Sequence, residues 1–174
     1  VRLVGSEMCI RDRGLYGSEM DVWLTKDGYL VVGHDKKMNG LSFQDTDYDL
    51  LKDMKLSNGE KLPQLKDFLV QLKQSESPTK LFIEIKKHDS FERNMTVVKA
   101  VLDTVRYYKV ENKVQYITFN LDICKELVRI DPEAVVACLK GGMAPAEVYE
   151  MGIRGIHYHR KEYRDHPQWI REAQ

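Results

Sequence analysis

Ser18–Thr25, SEMDVWLT, and Leu81–Lys86, LFIEIK, decide the architecture. Both alternate with the period of two that sends successive side chains to opposite faces of a strand. In the first, Met20, Val22 and Leu24 share one face, and Glu19, Asp21 and Trp23 share the other. In the second, Leu81, Ile83 and Ile85 oppose Phe82, Glu84 and Lys86. A strand buried under helices on both sides reads as a near-continuous apolar run. These two keep charge on one face only. That suits a barrel, whose strands turn one face to an outer ring of helices and the other to an interior that is polar near its active-site end.

Downstream, strand and helix patterns alternate. A helix is expected over Phe91–Tyr108, with Met95, Val98, Leu102 and Val105 as its buried stripe. Then come a strand over Gln115–Asn120, a helix over Leu121–Ile130, a strand over Ala134–Leu139 and a short helix over Pro145–Met151. A strand over Gly155–His159 and a last helix from Glu162 to the end complete the series. Thr118 and Asn120, and likewise His157 and His159, are expected on the polar face. Such alternation implies parallel strands joined by right-handed crossovers. It fits an open doubly wound sheet as well as a barrel, and the one-sided polarity selects the barrel.

Upstream, Lys26-Asp27-Gly28 is a turn leading into a short apolar run, Tyr29–Gly33, which ends at His34-Asp35. Lys36–Gly59 reads as polar loop with one short helix near Tyr48–Met54. Pro63 is expected to open a helix whose stripe is Leu65, Phe68, Leu69 and Leu72, broken at Ser75–Pro78. The fold class expected is α/β, a TIM-type (β/α)8 barrel that is incomplete. About strands two to six are present, and the first strand and the last two are missing.

The chain has 174 residues, 43% of them apolar, enough for one domain with a real core. Its 27 basic residues balance 27 acidic ones, and a nucleic-acid binder would show a basic excess. No apolar run approaches the ~20 residues of a membrane span. Val1–Arg13, VRLVGSEMCIRDR, has neither strand nor helix period and lacks the layout of a secretory signal. Leu3–Arg13 resembles the in-frame translation of a synthetic sequencing adapter, in which GAG-ATG-TGT-ATA-AGA-GAC encodes Glu7 to Asp12. Residues 1–13 are therefore set aside as adapter-derived, and 14–174 are taken as the domain. Glu162–Gln174 stops without a C-cap glycine, so the chain is expected to be the middle of a longer protein. With Cys9 set aside, Cys124 and Cys138 are expected to be buried thiols.

The chemistry lies on the polar faces. Glu19 and Asp21 sit about 7 Å apart along one strand face, and Glu84 lies on the inward face of the next parallel strand. Three converging carboxylates in a partly buried site call for a cation, and a hard divalent ion, Mg²⁺ or Ca²⁺, is the natural partner of oxygen ligands. Lys86, two residues past Glu84, offers a positive charge to a phosphate oxygen. His34 is a candidate general acid or base. Singly, each has a plain structural reading: E-x-K as an ion pair, a histidine before an aspartate as a turn residue. Together they read as metal-assisted cleavage of a phosphate ester.

Gly17–Asp35, GSEMDVWLTKDGYLVVGHD, resembles the glycerophosphodiester phosphodiesterase family in its order E-x-D-V, T-x-D-G and V-V-x-H-D. Leu62–Leu69, LPQLKDFL, resembles that family's P-T-L-x-E helix, with Gln64 in place of Thr. Leu81–Lys86 resembles its I-E-I-K strand, and Tyr116–Asn120, YITFN, its I-S-F strand. The resemblance implies a TIM-type barrel that hydrolyses glycerophosphodiesters, as small-molecule substrates, to an alcohol and glycerol 3-phosphate. By motif it implies Glu19, Asp21 and Glu84 as metal ligands and His34 as the acid that protonates the leaving alcohol. It implies Lys86 as the phosphate contact and assigns no firm role to His157 or His159; substrate contact by His159 is the minority reading. The family's His-Arg-Gly strand, its Pro-Glu-Asn motif and its later W-T-x-N strand have no counterpart here. The chain by itself is therefore expected to be inactive. Two other functions compete: a sphingomyelinase D-like lyase that cleaves phospholipid head groups and leaves a cyclic phosphate, and a non-catalytic remnant.

Overall fold

The computed structural model describes residues 16–56 and 58–173, so the adapter-like segment 1–13 lies outside the described residues. In chain order the elements are β1 (Gly17–Leu24), β2 (Leu30–Val32), β3 (Lys37–Met38), β4 (Leu41–Ser42), α1 (Tyr48–Leu51) and α2 (Leu65–Gln74). There follow β5 (Lys80–Ile85), α3 (Phe91–Tyr108), β6 (Val114–Thr118), α4 (Leu121–Ile130) and β7 (Val136–Cys138). The series ends with α5 (Pro145–Glu150), β8 (Gly155–Ile156), α6 (Arg160–Asp165) and α7 (Trp169–Glu172). The main sheet has the order β2-β1-β5-β6-β7-β8. From β1 to β8 all pairs are parallel, as the strand–helix alternation requires, while β2 folds back antiparallel onto the end of β1.

That hairpin follows from local chemistry. Gly28 takes φ 93°, a conformation glycine adopts without steric cost. The Thr25 hydroxyl donates to Asp27 Oδ1 at 2.6 Å, and Thr25 N donates to Tyr29 O at 2.8 Å.

The outer face of the sheet is the core. Met20, Val22, Leu81, Ile83 and Ile85 are buried against Leu65, Leu69 and Leu72 of α2 and Val98, Leu102 and Val105 of α3. Ser90 caps α3, its side chain accepting from Arg93 N. The buried stripe of α3 runs through Asn94, Val97 and Val101, whereas Met95 is only partly buried. A polar Asn can occupy that stripe because its Oδ1 accepts from His88 N at 2.8 Å. Leu102→Ala in such packing costs about 2–5 kcal/mol.

Several expectations are corrected. Pro63 lies outside α2: Gln64 is the N-cap, with Asp67 accepting from its N–H at 2.9 Å, and Pro63 O receives Val32 N. The final helix is two, α6 and α7, because Pro167 forces His166 out of helical backbone (φ −131°, ψ 67°). Strand β6 ends at Thr118, and Asn120 is the N-cap of α4, accepting from Ile123 N. Ile117, level with Glu84, faces the interior, so Thr118 faces the helices, where its buried hydroxyl donates to Ile85 O at 2.8 Å. Strands β7 and β8 are also shorter than the apolar runs that contain them. The segment read as polar loop folds over Trp23 instead, and Phe43, Leu51 and Leu62 make a second small core with Val31.

His88 ties the ends of β1 and β5 together. Its Nε2 accepts from Leu24 N at 3.1 Å, which places the proton on Nδ1, 3.0 Å from Lys86 O. Arg93 adds a bond to Leu24 O at 3.3 Å and one to Thr25 O. Burial holds the His88 ring below the ordinary histidine pKa. A histidine depressed in the folded state contributes its full stability above the unfolded value of about 6.5 and loses it as pH falls toward the folded value. Thermal midpoints measured from pH 7.5 to 5 are therefore expected to fall. The fall should be shallower in His88→Gln, which keeps the acceptor for Leu24 N and cannot charge.

Candidate active site

The pairing of β1 with β5 sets Asp21 level with Glu84 and Glu19 level with Phe82. All four side chains share the interior face, because in-register neighbours in a sheet point the same way. One ligand oxygen from each of Glu19, Asp21 and Glu84 lies within 4.8 Å of the others. Glu84 is buried, Asp21 half-buried and Glu19 exposed, so the cluster opens from the wall of the sheet outward.

Lys86 enters the same cluster. Its Nζ stands 2.6 Å from Glu84 Oε1 and 2.8 Å from Asp21 Oδ1, with the lysine side chain 17% exposed. Burial pushes the Glu84 carboxyl above its usual range; the Lys86 ammonium opposes that shift and the Asp21 charge adds to it. For Lys86, burial alone would lower the pKa, but the hydrogen bonds and charges of Asp21 and Glu84 outweigh it and hold the ammonium above its usual value. Three carboxylates face one ammonium, leaving two negative charges uncompensated. Hard oxygen donors at this spacing, with that residual charge, fit a divalent cation.

The other candidates fall in different places. Gly33 N donates to Asp21 O at 3.0 Å, so the hairpin sets the backbone just before His34 against that of Asp21. The His34 side chain is 59% exposed, with Nδ1 2.8 Å from Asp35 Oδ1. His159 stands apart from the cluster: it is the N-cap of α6, exposed, and its Nδ1 accepts from Lys161 N at 3.3 Å. His157 lines the interior instead. Its ring stacks on Phe82 at 5.9 Å between centroids, over a cavity of about 500 Å³ that also reaches Glu19, Ile117 and Leu139. Gly17 makes room there, since a Cβ at that position would lie 2.0 Å from Phe82 Cε2. Cys124 and Cys138 are buried thiols, as expected.

Sequence reading missed His88 and Arg93. The signal for His88 was available, because the alternation Glu84, Lys86, His88 continues past the strand. Its ring, however, bonds backbone rather than pointing into the cluster.

Residues 12–162 match the glycerophosphoryl diester phosphodiesterase family. A glycerophosphodiester phosphodiesterase from Parabacteroides distasonis superposes with a TM-score of 0.89 at 42% identity, covering 92% of this chain and 67% of that one. An Oleispira antarctica phosphodiesterase, in complex with the product sn-glycerol-3-phosphate, superposes with a TM-score of 0.79 at 16% identity, covering 92% of this chain and 70% of that one. The uncharacterized protein YqiK of Bacillus subtilis strain 168 is 31% identical over 163 residues, and the chain spans 65% of its length. The parallel sheet with its outer helices is thus of the TIM-type α/β class, and the chain belongs to the glycerophosphoryl diester phosphodiesterase family.

Proposed function

We propose that this site serves the hydrolysis of glycerophosphodiesters to an alcohol and glycerol 3-phosphate. The observation that carries the reading is the cluster of Glu19, Asp21 and Glu84, with its two uncompensated charges, beside the Lys86 ammonium. The family match supports it, as does the product bound to the Oleispira antarctica relative. Glu19, Asp21 and Glu84 would hold a Mg²⁺ or Ca²⁺ ion. Such an ion supplies Lewis-acid stabilisation of charge on phosphoryl oxygen. Lys86 binds and orients the phosphate. His34, which follows the Gly33 that bonds Asp21, donates its proton to the departing alcohol oxygen as the bond from phosphorus to that oxygen breaks and water oxygen takes its place.

In this reading the sheet supplies the second to sixth staves of an eight-stave barrel. Among the described residues, β1 is paired with β5 over Gly17–Val22 on one side, but β2 covers only Val22–Leu24 on the other. The Gly17–Asp21 stretch of that edge lies beside the acidic cluster. A further parallel strand there would bring the remaining catalytic groups that the family resemblance implies. Turnover by the 174-residue chain alone is therefore expected to be negligible. His159, held as a helix cap, contacts substrate only if α6 shifts, and His157 is the better placed of the two for that role.

The test is the chain completed with the first and last two strands of the Parabacteroides distasonis relative, assayed on glycerophosphocholine. Glycerol 3-phosphate release that EDTA abolishes, and that Glu84→Gln lowers by a factor on the order of 10³, is the expected result. A cyclic phosphate as product would establish the lyase reaction in its place. His34→Gln is expected to lower kcat by about 10²–10⁴-fold on glycerophosphocholine, and far less on a p-nitrophenyl phosphodiester, whose leaving group needs no proton. Equal losses on both substrates would remove His34 from the role of acid.

A further inference from the structure

We propose that the Lys86 ammonium stands in the bridging position a divalent ion would take between Asp21 and Glu84, and that metal binding exchanges the two cations. The inference rests on the metal reading above and goes beyond it, because it gives Lys86 two stations and makes phosphate binding wait on the metal.

Nζ lies 2.8 Å from Asp21 Oδ1 and 2.6 Å from Glu84 Oε1. Ca²⁺–oxygen distances are about 2.3–2.6 Å, so a cation bridging the same two oxygens would occupy nearly the same point. One bridging position admits one cation, and like charges held a few ångströms apart in a half-buried site repel strongly. The site favours the divalent ion for two reasons. The lysine leaves two of three negative charges unanswered, and a third donor, Glu19, lies within 4.8 Å of the other ligand atoms yet receives no bond from Nζ.

The lysine has the reach to leave once an ion takes over the carboxylates. Its four-carbon stem is flexible, and its ammonium is readily carried to another anion. Among the described residues, the bonds Nζ makes are to these two carboxylates alone. Another lysine near the rim, Lys36, is engaged by Asp89 at 2.6 Å and leaves the carboxylates to Lys86. While Lys86 bridges Asp21 and Glu84, its charge is spent on them; once displaced, it is free for an anionic ligand. The order that follows is metal first, phosphate second.

Two measurements on the 174-residue chain test the exchange. The first is amine acylation of the unmutated protein, read by mass spectrometry at Lys86 relative to exposed Lys109, with and without saturating Ca²⁺. Reactivity at Lys86 is expected to rise about tenfold with the ion, since displacement exposes an amine now held in a half-buried pair. The second is Ca²⁺ and Mg²⁺ titration by calorimetry of the unmutated protein and of Lys86→Met, which keeps the stem and removes the charge. The variant is expected to bind at least about tenfold tighter. Ca²⁺ binding with Lys86 reactivity unchanged or lowered overturns the exchange and leaves the metal site standing. Equal or weaker binding by Lys86→Met does the same. Failure of both proteins to bind either ion at millimolar concentration overturns the exchange and the metal reading together.

Discussion

The register between β1 and β5 is the constraint on which the rest of the structure depends. It sets Asp21 beside Glu84 on the interior face and, by the same pleat, Val22 beside Ile85 on the face packed against helices. A slip of one residue in β1 would send Glu19 and Asp21 into the apolar layer and Met20 and Val22 into the site. The apolar burial of one face therefore holds the charged groups of the other in place. The burial is a strong and unspecific force, and the alternation of the pleat converts it into an exact alignment of charge.

That alignment carries an electrostatic cost. Carboxylates gathered within 4.8 Å repel one another, and the raised pKa of Glu84 reports its burial first and the Asp21 charge second. The fold answers partly from within, through Lys86 just past the end of β5, and leaves the remaining charge for a ligand. A fully neutralised cluster would be more stable and would have less use for a divalent ion. Around the cluster, His88, Arg93 and Asn94 bind the backbone where β1 and β5 end, so the strands that bear the carboxylates are fastened just beyond them.

Much of the outline was legible. Period-two alternation in SEMDVWLT and LFIEIK placed the acidic residues on one face, and period 3.6 placed α2, α3 and α4. The helices α3 and α4 carry their own start signals, Ser90 and Asn120, whose side chains accept from the first turn. Other elements misled for reasons that can be named. β6 is apolar through Tyr116 and Ile117, so alternation within it was too weak to fix which residue faced inward; only its pairing with β5 did so. The segment after His34 reads as polar because the few residues it buries, Phe43, Leu51 and Leu62, are far apart in the chain. His157 and His159 share a parity, yet one faces the cavity and the other caps a helix, because β8 ends before either.

By itself the sequence determined which residue types were available, their spacing along each strand, and the helices that cover one face. These are local matters, set by periodicity, capping and backbone freedom, and they are complete before any two strands meet. The tertiary structure alone decided that Lys86 bonds Asp21 and Glu84, that Gly33, just before His34, bonds the Asp21 backbone, and that Ile117 rather than Thr118 looks inward. Those are relations between strands distant in the chain. They are fixed by register and by the direction of the pleat, which no single strand carries in its own residues.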